Sequence, residues 1–91
     1  MEIKEINGKK FKLIKDNDGF VQSEVESKLT EYYDNFDYIV GDWAYGKLRL
    51  KGFLDEKNKN VSDINNIKFV DNYIENNCAY KCKYFILKRE I

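Results

Sequence analysis

Apolar positions along this 91-residue chain recur at two spacings, and the change of spacing divides it into strands and helices. Ile3 to Ile6 and Lys10 to Lys15 read as short strands. Asn7-Gly8 between them joins two residues that tolerate positive φ, which predicts a type I′ hairpin turn. After a break at Asp16-Asn17-Asp18-Gly19, Ser23 and Glu26 stand at capping-box spacing. Val25, Leu29, Tyr32, Tyr33 and Phe36 then follow at helical spacing and predict a helix over Glu24 to Asp34. Asp37 to Trp43 returns to strand composition, and Ala44-Tyr45-Gly46 is a tight connection. Gly46 to Phe53 alternates strictly, with Lys47, Arg49 and Lys51 pointing one way and Leu48 and Leu50 the other. A polar loop over Asp55 to Asn60 precedes a second helix, Asn66 to Asn77, where Ile67, Val70, Tyr73 and Ile74 share a face. Lys81 to Lys88, aromatic and β-branched, predicts a closing strand. The order ββ-α-ββ-α-β implies one α+β domain over residues 1–91, with a small, mainly antiparallel sheet and two helices packed on it.

Composition narrows the chemistry. Sixteen basic and sixteen acidic side chains cancel, and 43% apolar residues suffice for one small core. With no histidine in the chain, Ser-His-Asp and Cys-His catalysis are excluded, as is an HExxH zinc site. Neither metal nor cofactor is called for. The charged start and the strand-sized apolar runs match neither a signal peptide nor a membrane span, so the expected location is the cytoplasm. The charge balance hides a segregation: residues 1–15, 38–54 and 78–91 carry +3, +2 and +3, against −6 over 16–37 and −2 over 55–77. If both helices covered one face of the sheet, the other would be left locally basic.

The run Phe36-Asp37-Tyr38-Ile39-Val40-Gly41-Asp42-Trp43, leading into Tyr45-Gly46-Lys47-Leu48-Arg49-Leu50-Lys51-Gly52-Phe53, resembles the signature of the YutD-like family of small bacterial proteins. Cys78 and Cys82 stand at the C-x-x-x-C spacing found before a Tyr-Phe strand in that family, and the likeness spans roughly residues 10 to 89. Ala44 replaces a Gly common in the family, and Lys47 often a Gln. The resemblance implies a small cytoplasmic α/β fold and no particular activity.

Three features could carry chemistry. Lys47, Arg49 and Lys51 on one strand face would stand about 6–7 Å apart, near the phosphate spacing of an extended nucleic-acid strand, with Trp43 and Tyr45 near enough to stack on bases. That reading makes the chain a binding module for RNA or another anionic partner; otherwise the row is a solvated face that blocks edge pairing. A second reading is a protein–protein adaptor whose basic strand docks an acidic partner. Gly41-Asp42 and Gly46 flank the turn, where Asp42 either accepts turn amides or, desolvated by the indole, serves as a general acid. Cys78 and Cys82 are either buried thiols in a reducing cytosol or a redox or metal pair, and zinc would need added carboxylates or a second pair across a dimer.

Overall fold

A computed structural model describes residues 2–77 and 82–90. The chain opens with two antiparallel strands, β1 (Glu2–Ile6) and β2 (Lys9–Asn17), joined by a two-residue turn in which Asn7 and Gly8 take φ of 53° and 79°. These are the left-handed angles of the expected type I′ turn. A second hairpin, β3 (Tyr38–Ala44) and β4 (Lys47–Phe53), turns at Tyr45 and Gly46 with φ of 54° and 76°. The last strand, β5 (Tyr84–Arg89), inserts between the hairpins, so the sheet runs β1-β2-β5-β3-β4 with every neighbouring pair antiparallel. Phe85, Ile86 and Leu87 of this central strand are consequently buried on both faces. The five-stranded antiparallel sheet with two helices is the α+β fold that the sequence pattern predicts.

Both helices are shorter than their periodicity suggests. Helix α1 covers Gln22–Lys28, and a 3₁₀ turn carries Glu31–Asn35. Between them Leu29 and Thr30 are extended. The interruption swings Tyr33 and Phe36 onto the sheet: Phe36 lies where a Gly52 Cβ would stand, 2.3 Å from its ring, and the Tyr33 hydroxyl donates to the Leu50 carbonyl at 3.4 Å. The expected capping box is absent. Val21 is the N-cap, without a side-chain hydrogen bond, Ser23 lies inside the helix, and Gln22 Nε2 occupies the Glu26 carboxylate at 3.0 Å. A second 3₁₀ turn, Ile67–Phe69, leads into α2 (Val70–Asn77), and the Asn66 side chain accepts from the Lys68 amide at its start.

The helices lie on opposite faces of the sheet, which overturns the picture of one covered and one basic face. Val25 and Leu29 close over Ile6, Phe11, Ile39, Leu48, Phe85 and Leu87. Ile67, Val70, Tyr73 and Ile74 close over Tyr38, Val40, Phe53 and Ile86. Alternation along β3 explains the division, since Ile39 and Gly41 face α1 while Tyr38, Val40 and Asp42 face α2. Gly41 is required where it stands, because a Cβ there would fall 2.1 Å from the Phe85 ring. Among the described residues no helix is long and apolar enough to cross a membrane.

Candidate functional site

The β3–β4 hairpin gathers most of the residues singled out by the sequence. A two-residue turn at Tyr45-Gly46 fixes the register, pairing Ala44 with Lys47, Trp43 with Leu48 and Asp42 with Arg49. Directly paired residues share a face, so Lys47, Arg49 and Lys51 lie on the α2 side and Trp43 on the α1 side.

Asp42 is 1% exposed and pairs through Oδ2 with Nη2 of Arg49. The same Arg49 nitrogen donates to the Asn77 carbonyl, the last residue of α2, at 2.9 Å. Hydrogen bonding to Asp42 and its negative charge hold Arg49 further toward its charged form. Burial raises the pKa of the Tyr73 phenol, and the nearby Asp42 carboxylate adds to the rise while Arg49 opposes it. Asp42 therefore ties the hairpin to α2 through Arg49. Its indole neighbour belongs to the opposite face, so Trp43 does not supply the desolvation that a general acid at Asp42 would need.

The basic row is also divided. Lys51 Nζ sits 5.3 Å from the centre of the Phe53 ring and 5.7 Å from that of Tyr73, both cation–π distances. Lys47 is exposed at the hairpin tip, and among the described residues no ion pair holds it. Of the three cations, two serve the contact between sheet and α2.

Trp43 and Arg49 belong to opposite faces, yet both border the end of the sheet beside Tyr45. With Ala44, Tyr45 and Asn77 they line a recess of about 390 Å³ there. Trp43 also walls a second recess of about 350 Å³ on the other side of the hairpin, with Asp18, Val21, Gly46 and Lys83. The indole is fixed by its Nε1–H, which donates to the Gly19 carbonyl at 2.7 Å, and its backbone amide donates to the Lys83 carbonyl at 3.0 Å. Tyr45 has its side chain wholly in solvent although its φ is positive, a backbone state that costs an ordinary L-residue roughly 1–2 kcal/mol. Gly46 beside it has open space around its α-carbon. Sequence reasoning missed Asn77, Asp18 and Lys83. The Asp42–Arg49 pair was within its reach, because a two-residue turn at Tyr45-Gly46 already sets those two opposite each other.

Cys82 is disulfide-bonded, which goes against a reduced thiol at that position, and its Sγ lies 3.9 Å from the Trp43 carbonyl oxygen. Cys78 lies outside the described residues. Among the described residues no group of three or more Cys, Asp or Glu side chains is placed to hold a metal ion.

Comparison with known proteins agrees with this architecture. Residues 5–88 match the family described as "YutD-like: Putative antitoxin YutD-like". "Putative antitoxin YutD" of Bacillus subtilis (strain 168) is 40% identical over 85 residues, covering 92% of this chain and 93% of the relative. The solution NMR structure of protein yutD from B. subtilis superposes with a TM-score of 0.80 at 37% identity, covering 99% of this chain and 83% of the other.

Proposed function

The chain belongs to the YutD-like family, and from that premise we propose that it is a protein-binding module of antitoxin type, which grips a partner protein with the tip of the β3–β4 hairpin. One observation carries this reading: a wholly exposed Tyr45, held in a backbone conformation its side chain disfavours, beside a recess shared with Trp43 and Arg49. Strain of this kind is retained where a side chain must be presented. Tyrosine and tryptophan supply large, rigid contact area and dominate binding energy at protein interfaces. The name of the B. subtilis relative, "Putative antitoxin YutD", fits a chain that works by holding another macromolecule, and a protein is the partner proposed for this one.

RNA is the less favoured partner for this end of the molecule. Electrostatic affinity for a phosphate backbone grows with each cation that displaces a counterion, and Arg49 and Lys51 are engaged elsewhere. Lys47 then acts as a rim charge that steers the approach of an acidic partner. The test is capture of partners from a cell lysate by tagged wild type and by Tyr45→Ala, each with and without nuclease. We expect a protein set that survives nuclease and is lost with Tyr45→Ala. A set that disappears with nuclease would move the reading to RNA, and equal capture by both chains would remove the hairpin tip from the interface.

A further inference from the structure

The half of the sheet that α2 leaves uncovered is a second surface, at the far side from the hairpin tip. On the α2 face, α2 packs over Tyr38, Val40, Phe53 and Ile86, which belong to β3, β4 and β5. The register extends that face across β5, β2 and β1: Lys88 pairs with Tyr38 and with Lys12, Lys12 with Ile3, Lys10 with Glu5, and Lys15 with Ile86. Four lysines therefore project from one open half-face. Lys10, Lys15 and Lys88 are exposed and Lys12 is partly so. Between them Ile3 is 51% exposed, and Ile14, at the β2 bulge that lets Lys15 join this face, is 36% exposed.

Acidic groups nearby offset part of this charge and leave the lysines in excess. Glu5 faces the patch across from Lys10, Glu90 meets Lys12 at 3.7 Å at the strand end, and Asp71 of α2 acts on Lys15 from the side. The bulge matters to the arrangement. It moves Lys15 onto the face of Ile86, where its Nζ stands 5.4 Å from the centre of the Tyr84 ring, and Lys88 stands 6.0 Å from that of Tyr38.

We propose that this lysine–isoleucine half-face docks an acidic, leucine- or valine-bearing segment of a partner protein. Charge complementarity places carboxylates opposite Lys10, Lys12, Lys15 and Lys88, and the segment's apolar side chains cover Ile3 and Ile14. A nucleic acid suits the surface less well. Tyr38 and Tyr84, the aromatic rings of this face, lie beneath lysines and offer no open stacking plane, and exposed isoleucines gain nothing against phosphates. The arginine nearest in sequence is committed elsewhere: Arg89 donates to the Phe36 and Tyr33 carbonyls at 2.8 and 2.7 Å. This surface shares no residue with the hairpin recess, so the two readings stand or fall separately.

The probes are a fluorescein-labelled peptide of Glu-Glu-Leu repeats, labelled oligouridylate, and vesicles of phosphatidylserine with phosphatidylcholine. Binding is followed by anisotropy or co-sedimentation across a salt series. We expect the peptide to bind wild type, and the combined Lys10→Gln, Lys12→Gln, Lys15→Gln, Lys88→Gln chain to bind it about tenfold or more weakly with a flatter salt dependence. Ile3→Ser with Ile14→Ser should weaken the peptide roughly threefold and leave the salt slope unchanged. Tyr45→Ala should bind the peptide as wild type does. Circular dichroism confirms that each variant folds, and any variant that loses the fold is replaced by its single substitutions. Equal peptide binding by wild type and the glutamine chain, no binding at low salt, or tighter binding of oligouridylate or vesicles than of peptide would overturn the proposal.

Discussion

The two hairpins use the same turn with opposite side-chain logic. Asn7-Gly8 and Tyr45-Gly46 agree in φ to within a few degrees at both positions. Asn7 suits the left-handed region, and it is also tied down: its Nδ2 donates to the Glu26 and Leu29 carbonyls, each at 3.0 Å, satisfying groups left free where α1 ends. Tyr45 is unsuited to that region, and its ring stands wholly in solvent. Stability accounts for the first turn completely and for the second not at all. What separates them is what each presents, helix anchorage at one and an aromatic ring at the other, and the odd residue is the one to suspect of meeting a partner.

The comparison can be broken most severely from beneath the second hairpin. Arg49→Met keeps much of the side-chain volume and removes the cation beside a carboxylate that is 1% exposed. Leaving a buried charge wholly uncompensated costs about 3–5 kcal/mol, and the half-exposed guanidinium and the further contacts of Asp42 place this loss below that range, at about 2 kcal/mol. A fall of that size in the stability extrapolated from urea denaturation is expected, with most of it recovered when Asp42→Asn is added. A single substitution that leaves the urea midpoint in place would show that α2 holds the hairpin without the pair.

Asn7→Gly tests the first turn while preserving its positive φ. Two hydrogen bonds to the end of α1 disappear, for about 1–2 kcal/mol in all. Amide exchange in Gln22–Lys28 should quicken more than exchange in β3 and β4. Uniform acceleration would mean that the side chain supports the whole fold rather than the junction with α1.

These contrasts also mark what could be read from the sequence. Both turns were legible, because Asn-Gly and Tyr-Gly between strand-like runs leave few ways to reverse the chain, and the strict alternation of Lys47 to Lys51 placed the basic row on one face. The fate of that row was half legible, since turn length alone sets Arg49 against Asp42, whereas the contacts of Lys51 with Tyr73 depend on where α2 packs. The insertion of β5 between β2 and β3 joins segments distant in the chain, and no local spacing encodes it. The lysine half-face was hidden for the same reason: Lys10, Lys12 and Lys15 become one surface with Lys88 only through that long-range pairing and the bulge at Ile14. The break at Leu29 and Thr30 escaped because the apolar period continues across it while the backbone does not.

The finest discrimination lies in Tyr45→Asn, which gives the second turn the residue of the first. The left-handed backbone state accepts asparagine with little strain, and the exposed ring contributes no buried area to the fold. The substitution should therefore stabilise the chain by roughly 0.5–1 kcal/mol, which for a domain of this size raises Tm by about 2–8 °C. Partner capture should fall at the same time, so that stability and binding move in opposite directions at one residue. That opposition is the signature of a side chain kept for contact at the expense of the fold. A higher Tm with undiminished capture would leave the strain at Tyr45 without a function. A lower Tm would show that the ring contributes to the fold after all, and the contrast between the two hairpins would then collapse into two ordinary turns.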